Sequence, residues 1–502
     1  MRSRRSIARV RRRRSCRMAR PALVAAPTHR REKPPAAPGS APPTAERATL
    51  EDLFAAESPQ PLADAFPGKR AVHPFIGMDP VPEGTVPRHW DEIYRSPRRN
   101  RGVAYIHVPF CENHCLFCGF YQNPWSASVG PPYVDAVIAQ LESFARSPAH
   151  DGPPLQAVYL GGGTPTALAS PDLARLVMAI RRCLPLVPDC EITLEGRVQS
   201  FDCDKALAAF DAGVNRISVG VQSFSERIRR PLGRRAGTAG VISLLESLVG
   251  LDRGAVVVDL IYGLPQQSPE DVAGDVRLCA QLGLDGLDLY SLSLIAGTPL
   301  LSAIEKGKLH PAAGSSLGTY FAAGEEAAMA EGWSAISTTH WQGSLRERNV
   351  YNLAVKTGAD CLPFGAGAGG FLGGFNYRIT ADLRDFAVRA GSGTCLTAAM
   401  MRATPAAPIH NALKSGMERG RLDTVAVDAA LARVCGSEAA SFSTHATPLL
   451  AQWSRAGLLE PYHRFHRLTR AGRFWQVAMT GRLITWLRQH PDLGDRHGRP
   501  DS

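Results

Sequence analysis

No stretch of this 502-residue chain approaches the roughly 18–20 consecutive apolar residues of a bilayer-spanning helix. The longest apolar runs, such as AVVVDLIYGL at 255–264, have the length of a strand, so no membrane span is expected. A disulfide framework is also missing. The eleven cysteines are odd in number and irregular in spacing. No secretory leader is expected, because PALVAA is shorter than the roughly 7–15 apolar residues that such a leader carries. Acid is nearly absent from residues 1–33, where Glu32 stands against twelve arginines and Lys33. That segment accounts for the whole formal charge of +11, and the rest of the chain is close to neutral. A basic balance confined to one end argues against a nucleic-acid role for the body.

What is present begins with that end. Residues 1–45, with the Pro/Ala stretch KPPAAPGSAPPT, read as a disordered Arg-rich tail and linker. An arm on an anionic surface and an organelle transit peptide are the alternatives. Between residues 100 and 295 short apolar β-rich runs alternate with stretches of helical spacing: VAYIHV, LQAVYL, CEITLE, VNRISVGV, GAVVVDLIYG and DGLDLYSLSL are the runs. Such alternation predicts right-handed βαβ units and a parallel sheet covered on both faces. Polar and glycine residues gather at the carboxyl ends of these strands. They are the cysteines after the first, Gly161–Gly163 after the second, Glu195, Gln222, Asp259 and Tyr262, and Ser291 and Ser293. That placement is what a site at the top of a β/α barrel requires. The expected fold is therefore α/β, a partial (β/α)6 barrel.

The expected organisation is a segment 46–99 packing on the barrel, a core at 100–330, a strand and Gly-rich extension at 331–380, and a helical domain at 381–502. Within the last, 449–476 reads as helix, strand, turn, strand, helix, like a winged helix. GAGAGG at 365–370 lacks the G-x-G-x-x-G spacing of a dinucleotide site and reads as a loop passing close to a ligand.

Only one group of cysteines is clustered: Cys111, Cys115 and Cys118, a C-x3-C-x2-C run. A structural zinc would normally take four ligands, and no second cysteine pair lies nearby, although His107 or His114 could complete a set. A [4Fe–4S] cluster normally takes four thiolates, so three leave one iron open to a small molecule. The prefix YIHVPFC and the following GF resemble the radical SAM superfamily, and within it the group around the oxygen-independent coproporphyrinogen dehydrogenase. GGGTPT at 161–166, NRISVGVQSF at 215–224, LGRR at 232–235 and DLIYGLPQQ at 259–267 extend the likeness. The resemblance implies a [4Fe–4S] cluster on the three cysteines and S-adenosylmethionine (SAM) held by Tyr105, Phe117, Gly162, Gly163, Thr164, Glu195, Gln222, Arg234, Asp259 and Ala296. Carboxylates suit the cationic groups and ribose hydroxyls of SAM, and a guanidinium suits its carboxylate.

Within that group, the coproporphyrinogen dehydrogenase carries a further cysteine where this chain has Phe120. CGFYQNP, TLEGR, HWQGSLRERNVYN and FGAGAGGFLGG are instead similar to the ChuW/HutW-type methyltransferases of anaerobic haem degradation. That likeness implies reductive cleavage of SAM, methyl transfer to haem, opening of the macrocycle and release of iron. It also implies haem as substrate and a flavodoxin- or ferredoxin-type electron donor, with a cytoplasmic location. Expected haem contacts are His340 as an iron ligand, Trp341 with Phe364 and Phe371 as apolar walls, and Arg346, Arg348 and Arg378 as propionate partners. The alternatives are a haem chaperone without ring opening, against which ERNVYN lacks the H-N-x-x-Y-W pattern of those proteins, and the coproporphyrinogen dehydrogenase itself.

Overall fold

A computed structural model describes residues 49–68, 77–436 and 441–490; the expected tail lies outside the described residues. The six expected core strands form as β1 (Gly102–Val108), β2 (Leu155–Gly162), β3 (Leu186–Gly196), β4 (Arg216–Gln222), β5 (Ala255–Tyr262) and β6 (Gly286–Ser291). All neighbours in this series pair in parallel, as the intervening helices α1 (Gly130–Ala145), α2 (Ser170–Cys183), α3 (Cys203–Ala212), α4 (Thr238–Gly250) and α5 (Pro269–Gln281) require. Local chemistry starts these helices where the strands end. Ser268 and Asp271 form a reciprocal capping box on α5, and Asp202 accepts the Lys205 amide at the head of α3. Along β1 the outward residues Ala104, Ile106 and Val108 are fully buried in the main core, whereas Val103 and Tyr105 face the other way.

The extension continues the same sheet. After α6 (Leu317–Ala330), β7 (His340–Gln342) runs antiparallel to β6. The short helix α7 (Val350–Lys356) then leads into β8 (Asp360–Phe364), which pairs in parallel with β1 on its free side. The antiparallel β9 (Gly369–Leu372), β10 (Phe375–Arg378) and β11 (Met400–Ala403) carry the sheet outward, and the short edge strands Met78–Pro80 beside β11 and Ser334–Ala335 beside β7 complete thirteen strands among the described residues. Helix α7 packs Val350, Tyr351 and Ala354 against Val103, Ala157 and Cys361, on the inner face of β1, β2 and β8 near their amino ends. It starts there because Glu191 accepts the amides of Val350 (3.1 Å) and Tyr351 (3.2 Å), two of the donors a helix start leaves open.

The carboxyl-terminal part contains α8 (Ala407–Glu418), α9 (Phe442–Arg455), the hairpin β12 (Leu459–Tyr462) and β13 (Phe465–Leu468), and α10 (Arg470–Gln489). Helix, hairpin and helix follow in the expected winged order. Gln452 and Trp453 on α9 hydrogen-bond the backbone of Ala55 and Leu53, tying the amino-terminal segment to this end of the chain.

Candidate active site

Residues from β2, β3, β4, β5 and β6 line one cavity of about 280 Å³ together with the three cysteines, so the sheet curls around it. The cysteine loop leaves the carboxyl end of β1 and is anchored to the loop carrying Arg234: the Leu116 amide donates to Leu232 O (3.1 Å) and Asn113 Nδ2 to Gly233 O (2.8 Å). Each sulfur meets at least one donor, and Cys118 also meets the Tyr121 amide. Thr164 Oγ1 points at Cys111 Sγ, Arg197 Nη2 at Cys115 Sγ and the Phe120 amide at Cys118 Sγ, all at 3.3 Å. Burial pushes the Cys111 and Cys118 thiols up, a cost that metal binding removes by taking the thiolate. Among the described residues no three His, Cys, Asp or Glu side chains converge on a single ion. Three thiolates whose sulfurs meet donors, with His114 and His107 turned to other partners, fit a multi-metal cluster better than one zinc. His114, weighed as a zinc ligand, turns its Nε2 to Cys118 O (3.0 Å) and stacks on Tyr121. His107 faces the Tyr105 hydroxyl through Nδ1 (3.0 Å), and burial lowers its pKa to about 4.

The turn GGGTPT passes under this loop. A side chain on Gly162, at φ 111°, would overlap the His107 ring, and one on Gly163 would strike the Phe110 backbone. Only glycine lets the two chains approach this closely. Gln222 sits at φ 72° beside a register shift in β4, a strained conformation for a non-glycine residue that turns it into the cavity wall.

Opposite charges line the walls and, among the described residues, do not ion-pair. Burial, with the neighbouring Asp259, raises Glu195 to about 8. Burial, with Asp288, raises Asp259 to about 6. Arg234 stands over the Phe117 ring at 5.7 Å with its Nε buried and unpartnered, and burial lowers its pKa. Two carboxylates short of positive charge and a guanidinium short of an acceptor fit a ligand with cationic groups and a carboxylate, which is what SAM offers.

Of the residues expected around SAM, Phe117, Gly162, Gly163, Glu195, Gln222, Arg234 and Asp259 line the cavity. Thr164 lies behind Cys111, and Tyr105 stacks 6.4 Å from Tyr159, itself on the cavity wall. Ala296 is exposed in the loop after β6 and is not part of the lining. Arg197, Tyr159 and Tyr290 were not anticipated. Arg197 follows Glu195 by two residues in TLEGR, and a cation at a strand end beside a thiolate loop is a signal that could have identified it.

The expected haem contacts separate. His340 is fully enclosed, with Nδ1 3.0 Å from Asp288 and Nε2 2.9 Å from Glu347. Glu347 in turn receives Arg216 Nε at 2.9 Å and Nη2 at 3.0 Å. Each ring nitrogen faces a carboxylate at ion-pair distance without hydrogen-bond angles, and the ring is fully enclosed, so His340 has no open side for iron. Trp341, its neighbour on β7, points to the opposite face and is buried in the main core, and Phe364 packs edge-on against Phe144. Arg346 pairs with Asp252 just before β5, and Arg348 with Asp189 in the first half of β3. Both therefore sit at the amino-terminal rim, opposite the cysteine loop. Arg378 and Phe371 do face a cavity, a second one described below.

A radical SAM superfamily model matches residues 105–279. The chain is 40% identical over 430 residues to an anaerobilin synthase from Escherichia coli O157:H7, covering 85% of this chain and 93% of that one. It is 35% identical over 195 residues to the heme chaperone HemW of Escherichia coli K12, covering 39% of this chain and 51% of that one. Its fold superposes on the solved coproporphyrinogen III oxidase HemN of Escherichia coli with a TM-score of 0.65 at 22% identity, over 79% of this chain and 92% of that one. The three thiolates, the cavity beside them and similarity along nearly the whole length agree: the chain belongs to the radical SAM superfamily and, within it, to the family of anaerobilin synthase.

Proposed function

We propose that this protein opens the haem macrocycle without oxygen, transferring a methyl group from SAM and releasing iron and a linear tetrapyrrole. The observation that carries the reading is the cavity in which three hydrogen-bonded thiolates face Glu195, Asp259 and Arg234, none of them ion-paired among the described residues. When bound and reduced, the cluster supplies the single electron that SAM cleavage needs. The chain's own groups position the reactants. Arg234 takes the SAM carboxylate, while Glu195 and Asp259 take its cationic and hydroxyl groups and are relieved of their mutual repulsion. Arg197, Thr164 and the Phe120 amide disperse charge on the cysteine sulfurs, which sets how readily the cluster gives up its electron. Phe120, exposed at the cavity mouth where the coproporphyrinogen dehydrogenase has a cysteine, adds an apolar surface there.

The electron comes from a flavodoxin- or ferredoxin-type donor, and the reaction belongs in the cytoplasm, where an oxygen-sensitive cluster is best kept reduced. Among the described residues no helix is long and apolar enough to cross a membrane. The test is mass spectrometry of products from the anaerobically reconstituted protein given SAM, haem and a strong reductant. A ring-opened tetrapyrrole carrying a methyl group from SAM, formed with 5′-deoxyadenosine, is expected. Haem recovered intact while bound would replace this reading with haem carriage.

A further inference from the structure

A second and larger cavity, of about 700 Å³, lies between the extension strands β8–β10 and the helices α7 and α8. It falls within the roughly 300–1,000 Å³ of small-molecule sites. Its charge is of one sign. Arg378 from β10, Lys414 from α8 and Lys356 from α7 line it, and among the described residues no carboxylate does. Lys356 is already answered by Glu418 at 2.5 Å, outside the lining. Among the described residues Arg378 and Lys414 make no ion pair, and burial lowers the Lys414 pKa, as expected of an ammonium short of an anion. His410, also on the wall, is held neutral by burial at a pKa of about 4, so it adds no charge.

The remaining surface is mainly apolar and aromatic, with Asn376 and Asn411 as its neutral polar groups. Phe371 lines it, and at Gly369 a side chain would meet nothing within 4 Å, so the GAGAGG loop leaves that wall open. Tyr351 closes the side toward the cysteines: its ring lies 4.9 Å from Tyr159, which lines the SAM cavity, and 6.2 Å from Tyr105. The two cavities are thus separated by one layer of tyrosine rings, and the charge of Arg378 reaches Tyr105 and His107 on β1.

We propose that this cavity seats the tetrapyrrole, with its two carboxylates held by Arg378 and Lys414 and its macrocycle against Phe371 and Tyr351. The proposal rests on haem being the substrate. Two unpaired cations on separate elements suit a ligand with two carboxylates on one aromatic body, and the Tyr351 and Tyr159 rings that stand between this cavity and SAM must swing aside for methyl transfer.

The test is a titration of haem into the full-length, cluster-loaded protein, followed by absorbance. The double variant Arg378→Ala/Lys414→Ala should weaken binding at least about tenfold, since each lost contact is a charge-assisted one. The variant Arg378→Ala/Lys414→Arg should recover the Lys414 share. Haem dimethyl ester should bind the wild type as weakly as haem binds the double variant. Cluster absorbance and melting temperature show that each variant is folded. Equal affinity of wild type and double variant, or of haem and its ester, would overturn the assignment while ring opening by the wild type left the proposed function standing. A wild type that neither binds nor opens haem would remove both.

Discussion

Two groups of buried charges share the inside of this barrel. At the carboxyl ends of the strands Glu195, Asp259 and Arg234 face a cavity without ion-pairing, and burial moves each toward its neutral form. Toward the other end Asp288, His340, Glu347 and Arg216 run in an unbroken line of contacts between 2.9 and 3.0 Å. Both contain residue types that signal chemistry in a sequence. Only the first has capacity left over. A protein tolerates unanswered buried charge where a ligand will answer it, and fully paired charge is structure. Asp259 and Asp288 are opposite each other in β5 and β6, so the border between the two groups is a single pair of carboxylates.

If the paired group is structural, breaking it should unfold the protein rather than merely slow it. Glu347→Ala leaves Arg216 and His340 buried beside no acid at that position. The cost should be about 3–5 kcal/mol, a large part of the ~5–15 kcal/mol that holds a typical domain together. Replacing both partners, as Arg216→Met/Glu347→Leu, should recover much of it, because no charge is then left alone. Urea denaturation measures both. A loss under about 1 kcal/mol for Glu347→Ala would show that the line is not a support.

The same line should respond to pH in a definite direction. Although burial opposes it, Asp288 and Glu347 raise His340 from 6.5 to about 9, so its contribution is complete below pH 6.5 and is lost as pH rises through 9. Against burial, Arg216 and His340 lower Glu347 from 4.5 to about 2, so that contribution is complete above pH 4.5 and fades toward 2. A tenfold change in proton affinity is worth about 1.4 kcal/mol, so this effect reaches at most the lower end of the cost of removing Glu347. The melting-temperature gap between wild type and His340→Asn should be widest between pH 4.5 and 6.5 and should narrow toward pH 9. A gap that stays constant over that range would mean His340 carries no charge in the fold.

The contrast also explains what the sequence could and could not convey. The strands were readable because period and composition repeat locally, and the thiolate loop because three cysteines lie within eight residues. His340 was not readable as a structural residue. Its partners come from β6 and from the loop before α7, and the arginine behind them from β4, 131 residues away from Glu347. Arg346 and Arg348 looked like propionate partners because they lie in HWQGSLRERNVYN, one of the stretches similar to the haem-degrading branch. That segment in fact delivers α7 to the barrel floor, which puts both guanidiniums on the rim beneath it. Lys414 was invisible for the opposite reason: one lysine on an amphipathic helix looks solvated until the helix is seen to close a cavity.

The unpaired group should behave as the reverse of Glu347. At neutral pH the Glu195 carboxyl, raised to about 8, is largely protonated in the free protein, so Glu195→Gln should leave the melting temperature nearly unchanged. It should nonetheless weaken SAM binding roughly tenfold to a hundredfold, the range for losing one hydrogen bond to a charged group. A second consequence follows from the raised pKa. Bringing a cation to this wall favours the carboxylate, so SAM binding by the wild type should release protons, and Glu195→Gln should release fewer. Calorimetric titrations in buffers of different ionisation enthalpy measure that number directly. Were Glu195→Gln to lower stability as Glu347→Ala does while binding SAM normally, Glu195 would belong with the paired charges, and the distinction between the two ends of the barrel would fail at its most exposed point.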